Sequence, residues 1–384
     1  MSKSSVRVAM IEPVGGHGGM DYYDFGLCEG LSQSGIDVTL FTSDETEASK
    51  DSVFSVNKVY KKVYGKDPTW IRAIRYVKGT MQALFISFIQ KRTICHFHWF
   101  HVGPLELFNI ILAKLLRRKV IVTAHDVEAF VKGLSVPLFV RFAYKLCDVV
   151  IAHNQVSRQE LIEKIELSSE KIHVIPHGNY LHALSKLPEQ NVARKHLKLP
   201  ENVNVLLFFG QIKDVKGLDV LLDAMCEIVV EFPDTVLLIA GKVWKTDFSQ
   251  YACLIDKYGI SGNCRADIRY IPDSEVANYY AAADLVVLPY HKIYQSGVLL
   301  MAMSYGRAVV VSDLPGMVEV VTDKATGLVF KAGNAEHLAD TILSVFREPK
   351  SLSFLEKNAL HLMREHYGWN DIGKSVSLLY SSIK

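Results

Sequence analysis

The chain has no cysteine pair at metal-ligating or redox spacing. Its six cysteines, Cys28, Cys95, Cys147, Cys226, Cys253 and Cys264, are scattered, and no Cys-x-x-Cys occurs. That excludes a zinc ribbon or a dithiol oxidoreductase, and reduced thiols in a cytoplasmic compartment are expected. No apolar run approaches the roughly 18–20 residues of a spanning helix. Met1–Ser5 is polar and runs straight into a strand, so no signal peptide is expected. Charge of one sign is also missing: the net charge is +2 with 22% charged residues, which argues against an acidic tail or a nucleic-acid binder by bulk charge. No two carboxylates stand out at positions suited to glycoside hydrolysis. The glycine-rich loop Val14–Met20 lacks dinucleotide spacing, and Asp44 comes too late after the second strand, which argues against a nicotinamide cofactor.

What is present is strand–helix alternation, the pattern of parallel, doubly wound α/β sheets. The first half predicts strands at Val6–Ile11, Asp37–Phe41, Cys95–Trp99, Val120–Thr123, Val149–Ala152 and His173–Ile175. The second predicts Val205–Phe209, Val236–Ala240, Ile268–Tyr270, Leu285–Leu288, Val309–Val311 and Leu328–Phe330. A chain of 384 residues suits two domains. Asn179–Asn204, polar and broken by Pro188 and Pro200, marks the boundary. The expected division is 1–185, 200–365 and a terminal helix in 366–384.

Two loops of the second half suit a diphosphate. In Leu285–Leu314 a buried strand crosses into an apolar helix through Tyr294, Gln295, Ser296 and Gly297, which sets a helix N-terminus at the carboxyl edge of the sheet. About eighty residues earlier, Gly210-Gln211-Ile212-Lys213-Asp214-Val215-Lys216-Gly217 joins a strand to a helix, with Lys216 placed to neutralise phosphate. A solvated lysine in an ordinary loop is the competing reading. In the first half, the glycines around His17 offer backbone amides to an anion or a sugar hydroxyl. His125 and Asp126 follow a strand directly, and His98 and His101 flank Trp99 and Phe100.

Together these segments resemble the retaining glycosyltransferases of family four: Gly15-Gly16-His17-Gly18-Gly19, His125-Asp126, Ile175-Pro176-His177-Gly178, Phe209-Gly210…Lys216-Gly217-Leu218, Tyr270-Ile271-Pro272-Asp273, Gln295-Ser296-Gly297-Val298 and Asp313-Leu314-Pro315-Gly316…Glu319-Val320. The resemblance implies the GT-B fold, two Rossmann-like domains facing each other across a cleft, with the C-terminal helix crossing back to the first domain. It implies a nucleotide-sugar donor held by Gly16, Gly210, Gln211, Lys213, Lys216, Tyr290, Tyr294, Gln295, Ser296, Gly297 and Val298. A glycan or lipid-linked acceptor would meet His17, Gly18, His98 and His101, the last two as polar tips on an aromatic patch. His125 is expected to stabilise charge on the sugar and its leaving phosphate, Asp126 to orient it or contact the acceptor, and Lys216 to neutralise the diphosphate. No metal or other cofactor is implied.

The chain departs from the family pattern at Ile293 and Met301, where many members carry paired glutamates, and at Gln211, where an arginine is frequent. A non-catalytic binding subunit of a polysaccharide assembly complex is therefore one alternative; the other is a sugar-nucleotide epimerase, which would need carboxylate acid–base residues in the cleft.

Between Val53 and Ile94 stand nine Lys or Arg against the single acid Asp67, interleaved with Trp70, Ile71, Ile74, Met81, Phe85 and Phe88. The mixture suits peripheral docking on an anionic membrane surface. An amphipathic core helix with a solvated basic face is the competing reading, and nucleic acid is disfavoured. The two readings differ in whether Trp70 and its neighbours face outward.

Overall fold

The structure, a computed structural model, describes residues 6–17, 19–47, 52–125, 136–245 and 247–383. The chain divides into two compact units, Met1–Gly178 with Tyr367–Lys384, and Asn179–His366.

The first unit opens with β1 (Arg7–Glu12), α1 (Met20–Gln33), β2 (Asp37–Ser43) and β3 (Ser55–Tyr60). It continues with α2 (Thr69–Ile89), β4 (Ile94–Trp99), α3 (Pro104–Leu115), β5 (Lys119–Ala124) and α4 (Leu138–Leu146). Then come β6 (Val149–Ala152), α5 (Gln155–Glu163) and β7 (Ile172–Val174). The strands form one parallel sheet in the order β3-β2-β1-β4-β5-β6-β7. Strands buried on both faces read as continuous apolar runs, which is why most of them were legible. β3 escaped because it is an edge strand with an exposed start.

Alternation along β4 divides its side chains between two layers. Cys95, Phe97 and Trp99 join the core under α2, α3 and α4. His96 and His98 point to the other layer, where α1 lies.

The second unit contains α6 (Gln190–His196), β8 (Val205–Phe209), α7 (Leu218–Glu231), β9 (Val236–Ala240), α8 (Ser249–Lys257) and β10 (Cys264–Asp267). It goes on through α9 (Asp273–Ala282), β11 (Leu285–Leu288), α10 (Gly297–Ser304), β12 (Ala308–Ser312), α11 (Pro315–Val318) and β13 (Leu328–Phe330). Helices α12 (Ala335–Arg347) and α13 (Pro349–His366) close it. Its parallel sheet has the order β10-β9-β8-β11-β12-β13.

The strand expected at Ile268–Tyr270 is not there. The edge strand is Cys264–Asp267, with two exposed side chains, so an apolar search overlooks it. Arg269 instead pairs with Asp267 and Glu275 in the loop that follows. Residues 179–204 belong with this unit. The Tyr180 amide donates to Ser304 Oγ (3.1 Å), and Arg194 pairs with Asp284 (2.7 Å).

The last helix, α14 (Trp369–Ser382), packs on α1 within the first unit. The approach is close because both backbones lack side chains at the crossing. A Cβ on Gly30 would lie 2.1 Å from the Trp369 carbonyl oxygen, and one on Gly373 would lie 2.2 Å from the Gly30 carbonyl carbon. Such overpacking forces the helices apart, so Gly373→Ala should destabilise the first unit by about 1–3 kcal/mol. Gly262→Ala, where an added Cβ meets nothing within 4 Å, should stay within about 0.5 kcal/mol. Urea unfolding followed by tryptophan fluorescence and circular dichroism checks both values.

Candidate active site

In the second unit the two expected loops converge. Gly217, in the left-handed region (φ 66°), opens α7, and a Cβ there would lie 1.8 Å from the Pro289 carbonyl oxygen. Only glycine lets the loop after β8 lie against the chain after β11. The approach carries Lys216 over Tyr290, its Nζ 3.7 Å from the ring centroid. Tyr290 is buried, and its hydroxyl lies 3.3 Å from Ser296 Oγ. Ser296 caps α10 by accepting the Leu299 amide (3.2 Å), leaving the first amides of the helix, at Gly297 and Val298, without intrahelical acceptors. Gly210 (φ 104°) lies beside Val298, whose Cγ2 would be 3.1 Å from an added Cβ. Thus Gly210, Lys216, Tyr290, Ser296, Gly297 and Val298 form one cradle of cation, hydroxyls and helix N-terminus.

Other expected donor residues are placed differently. Lys213 sits over Trp244 at 5.1 Å, Gln211 is exposed, Tyr294 is buried and Gln295 is half-buried. Ile293 and Met301, the positions of the missing glutamates, are also half-buried.

In the first unit the carboxyl edge of the sheet carries a chain of imidazoles. His98 lies near the end of β4, His125 follows β5, His153 follows β6 and His177 comes shortly after β7. Tyr23 of α1 packs against all four, with centroid distances of 5.2, 4.6, 5.4 and 4.9 Å. Their hydrogen bonds set the tautomers. His153 Nδ1 is 3.0 Å from the Ile175 carbonyl oxygen, which can only accept, so Nδ1 carries the proton. Burial, and then the neighbouring His177 imidazole, lowers the His153 pKa to about 3, so the ring is neutral and its Nε2 is a lone pair.

That lone pair is 3.3 Å from His125 Nδ1, which must donate to it. His125 is also neutral, its pKa held well below the usual value by burial and the neighbouring imidazoles. Its Nε2 therefore presents a lone pair, buried and unpartnered among the described residues. Phe100 stacks on the ring at 4.7 Å. A neutral acceptor can take a proton or hydrogen bond from a hydroxyl, or favour positive charge on a sugar. It cannot offset negative charge on a leaving phosphate, so that half of the expected role is withdrawn. Asp126 and Gly18 lie outside the described residues.

His98 is not a polar tip. Its fully buried imidazole turns inward, with Nδ1 2.9 Å from Asp24 Oδ1 and 3.6 Å from Glu12 Oε2. These three are the group best placed to hold a metal ion among the described residues. Protons account for the cluster equally well. Burial and then the Asp24 charge push the Glu12 carboxyl up to about 8, burial raises Asp24, and burial lowers His98 to about 4. Each of these shifts favours the uncharged form of its group. His101 is exposed as expected.

The glycine loop serves packing more than anion binding. A Cβ on Gly15 would lie 2.0 Å from Thr42 Oγ1, and the Gly16 amide donates to Asp21 (2.9 Å). The His17 amide donates to the Val14 carbonyl, and its ring pairs with Glu45 (2.9 Å). Gly16 therefore has no free amide for a phosphate, and Asp21 would repel one. Beside this loop lies a cavity of about 380 Å³, walled by Tyr64, Tyr76, Trp99 and Phe100, with Arg72 and Glu106 at its polar side. Aromatic walls with a few charged groups suit a saccharide or its anionic carrier.

Sequence reading passed over His153, Glu12, Asp24 and Tyr23 as site residues. One signal was available: four successive parallel strands each have a histidine within three residues of their last residue.

Residues 17–179 match the model of Glycosyltransferase Family 4, and residues 189–361 match that of Glycosyl transferases group 1. The chain is 28% identical over 207 residues to a D-inositol 3-phosphate glycosyltransferase of Segniliparus rotundus, spanning 53% of this chain and 46% of that protein. It is 24% identical to the Corynebacterium aurimucosum protein of the same name, over 98% of this chain and 96% of that one. Several of these curated relatives are matched over only about half their length. The fold is similar to that of sucrose-phosphate synthase from Thermosynechococcus elongatus (TM-score 0.78, 20% identity, 98% of each chain). It is also similar to Anabaena HepE in complex with UDP-glucose (TM-score 0.75, 17% identity, 98% of this chain and 99% of that one). With both halves matched by glycosyltransferase domains and both sheets of Rossmann-like type, the chain belongs to the GT-B glycosyltransferases.

Proposed function

We propose that this protein transfers a sugar, with retention, from a UDP- or GDP-linked donor to a glycan or lipid-linked saccharide in polysaccharide or glycolipid biosynthesis. The observation that carries the reading is the cradle of the second unit, where Lys216, Tyr290 and the α10 N-terminus converge. A diphosphate leaves readily once such groups neutralise it, so no pair of catalytic carboxylates is needed. The UDP-glucose bound by the Anabaena neighbour supports a nucleotide-sugar donor. In this reading His125 Nε2 faces the transferred sugar, and the aromatic cavity of the first unit receives the acceptor. We place the reaction in the cytoplasm, consistent with the free cysteines. The epimerase and binding-subunit alternatives are not favoured.

A panel of UDP-, GDP- and ADP-sugars tests the donor. At about a hundred times its dissociation constant, the true donor should stabilise the fold by roughly 2.7 kcal/mol, a rise in Tm of several degrees in differential scanning calorimetry. The reading fails if no nucleotide sugar shifts the transition. Retention is tested separately, by the anomeric configuration of the product in proton NMR.

A further inference from the structure

Helix α2 carries an apolar face on its outer side as well as an inner one. Its buried face carries Gly79, Thr80, Ala83, Leu84 and Ser87, mostly small or hydroxylated residues. A Cβ on Gly79 would lie 2.6 Å from the Tyr60 ring, the Thr80 hydroxyl bonds that of Tyr60 (3.1 Å), and Ser87 donates to the Ala83 carbonyl (2.6 Å). Six large apolar side chains, Trp70, Ile74, Met81, Phe85, Phe88 and Ile89, are between 53% and 66% exposed, whereas Tyr76, Leu84 and Ile86 pack on the core. At 100° per residue the exposed six fall on one side of the helix, as a stripe about 28 Å long. An ordinary surface helix keeps its outer face polar, and an exposed apolar patch of this size calls for a cover.

The surroundings say which cover fits. A groove along the stripe is lined by Ile74, Met81 and Phe85 together with Lys61, Lys62 and Lys78. Those three lysines are exposed and make no ion pair among the described residues. Two other cations of the segment drop out of the count: Arg92 is buried against Asp37, and Arg75 pairs with Asp67. Arg118 lies over Phe88 at 5.1 Å and extends the basic rim toward α3. On the neighbouring helices Leu115 is 73% and Leu138 83% exposed, so the apolar surface continues across this layer. No described helix is long and apolar enough to cross a membrane. An apolar stripe edged by exposed cations, on a helix too polar to span, has the chemistry of interfacial attachment to anionic lipid.

We infer that α2 lies in the headgroup region of an anionic bilayer, its apolar stripe among the acyl chains and Lys61, Lys62 and Lys78 on lipid phosphates. The first turns of the same helix also line the aromatic cavity through Thr69, Arg72, Ala73 and Tyr76. A docked molecule would therefore hold that cavity close to the membrane surface. The inference does not depend on the donor reading, since attachment is measured without turnover.

Flotation of the full chain with vesicles of phosphatidylcholine alone, or with 30 mol% phosphatidylglycerol added (~30%, an anionic surface), tests it. Binding should require the anionic lipid and should weaken as salt shortens the screening length from about 10 Å at 0.1 M to about 3 Å at 1 M. Changing Lys61, Lys62 and Lys78 together to Glu should lower partitioning by about a hundredfold or more. Trp70→Ser with Phe85→Ser and Phe88→Ser should abolish it, and circular dichroism should show both variants folded, because all these side chains are exposed. Equal binding to both vesicle types, or no binding at low salt, overturns the inference. So does a dimer in sedimentation velocity that the serine variant dissociates, because a second copy would then be the cover.

Discussion

Lys216→Ala should weaken binding of a nucleoside diphosphate by about 1.5–3 kcal/mol, the range for a hydrogen bond to a charged group. That corresponds to a rise in Kd of roughly ten- to a hundredfold. The reason lies in what Lys216 does not do in the structure. It is half-buried, rests on the Tyr290 ring at 3.7 Å, and pairs with no carboxylate among the described residues. Removing it costs the fold only a cation–π contact, of about 0.5–1 kcal/mol. Gly217 and Pro289 hold the loop in place by backbone contact, so the cradle should survive the substitution. Isothermal titration with UDP and GDP gives the affinity, and urea unfolding gives the stability. Unchanged affinity would remove Lys216 from the donor site. A loss of affinity matched by a large loss of stability would make it a structural residue instead.

What could be read from the amino acids, and what could not, follows from how each feature is written in the chain. Strands at the centre of a parallel sheet are buried on both faces, so β8, β9 and β11 appear as plain apolar runs. Edge strands need only one apolar face, and β3 and β10 were missed or misplaced for that reason. The cradle was legible because its parts lie in two continuous loops, each with its own glycine and polar residues.

The imidazole chain was not. Glu12, Asp24 and His98 are far apart in sequence and meet only when β1, α1 and β4 are placed. The His125 tautomer depends on an atom of Ile175 two hydrogen bonds away. The basic and aromatic composition of α2 was visible, but its outward face was not, because Tyr60 of β3 decides which side can approach the sheet.

His125→Ala should lower turnover by about a hundredfold or more while leaving donor affinity nearly intact, because an acceptor aimed at developing positive charge acts mainly in the transition state. The tautomer chain adds a sharper test. If His125 works only with Nε2 as a lone pair, His153 is its positioning residue, and removing the His153 acceptor frees the His125 ring to adopt the other tautomer. His153→Phe keeps an aromatic ring of similar size against Tyr23 and should lower kcat by about tenfold or more, the order seen when a partner that orients a functional imidazole is lost. His153→Gln restores an oxygen that can accept from His125 Nδ1 and should recover part of that loss. A residue that merely fills space would behave the other way, with the glutamine variant worse than the phenylalanine one. The pH profile gives an independent reading. The folded pKa of His125 is lowered, so its neutral, active form persists below the usual histidine value, and kcat should show no acid limb near pH 6.5. An acid limb at that pH, or a His125→Ala variant that loses donor affinity and turnover in equal measure, would show that the imidazole does not act as a neutral acceptor in the chemical step.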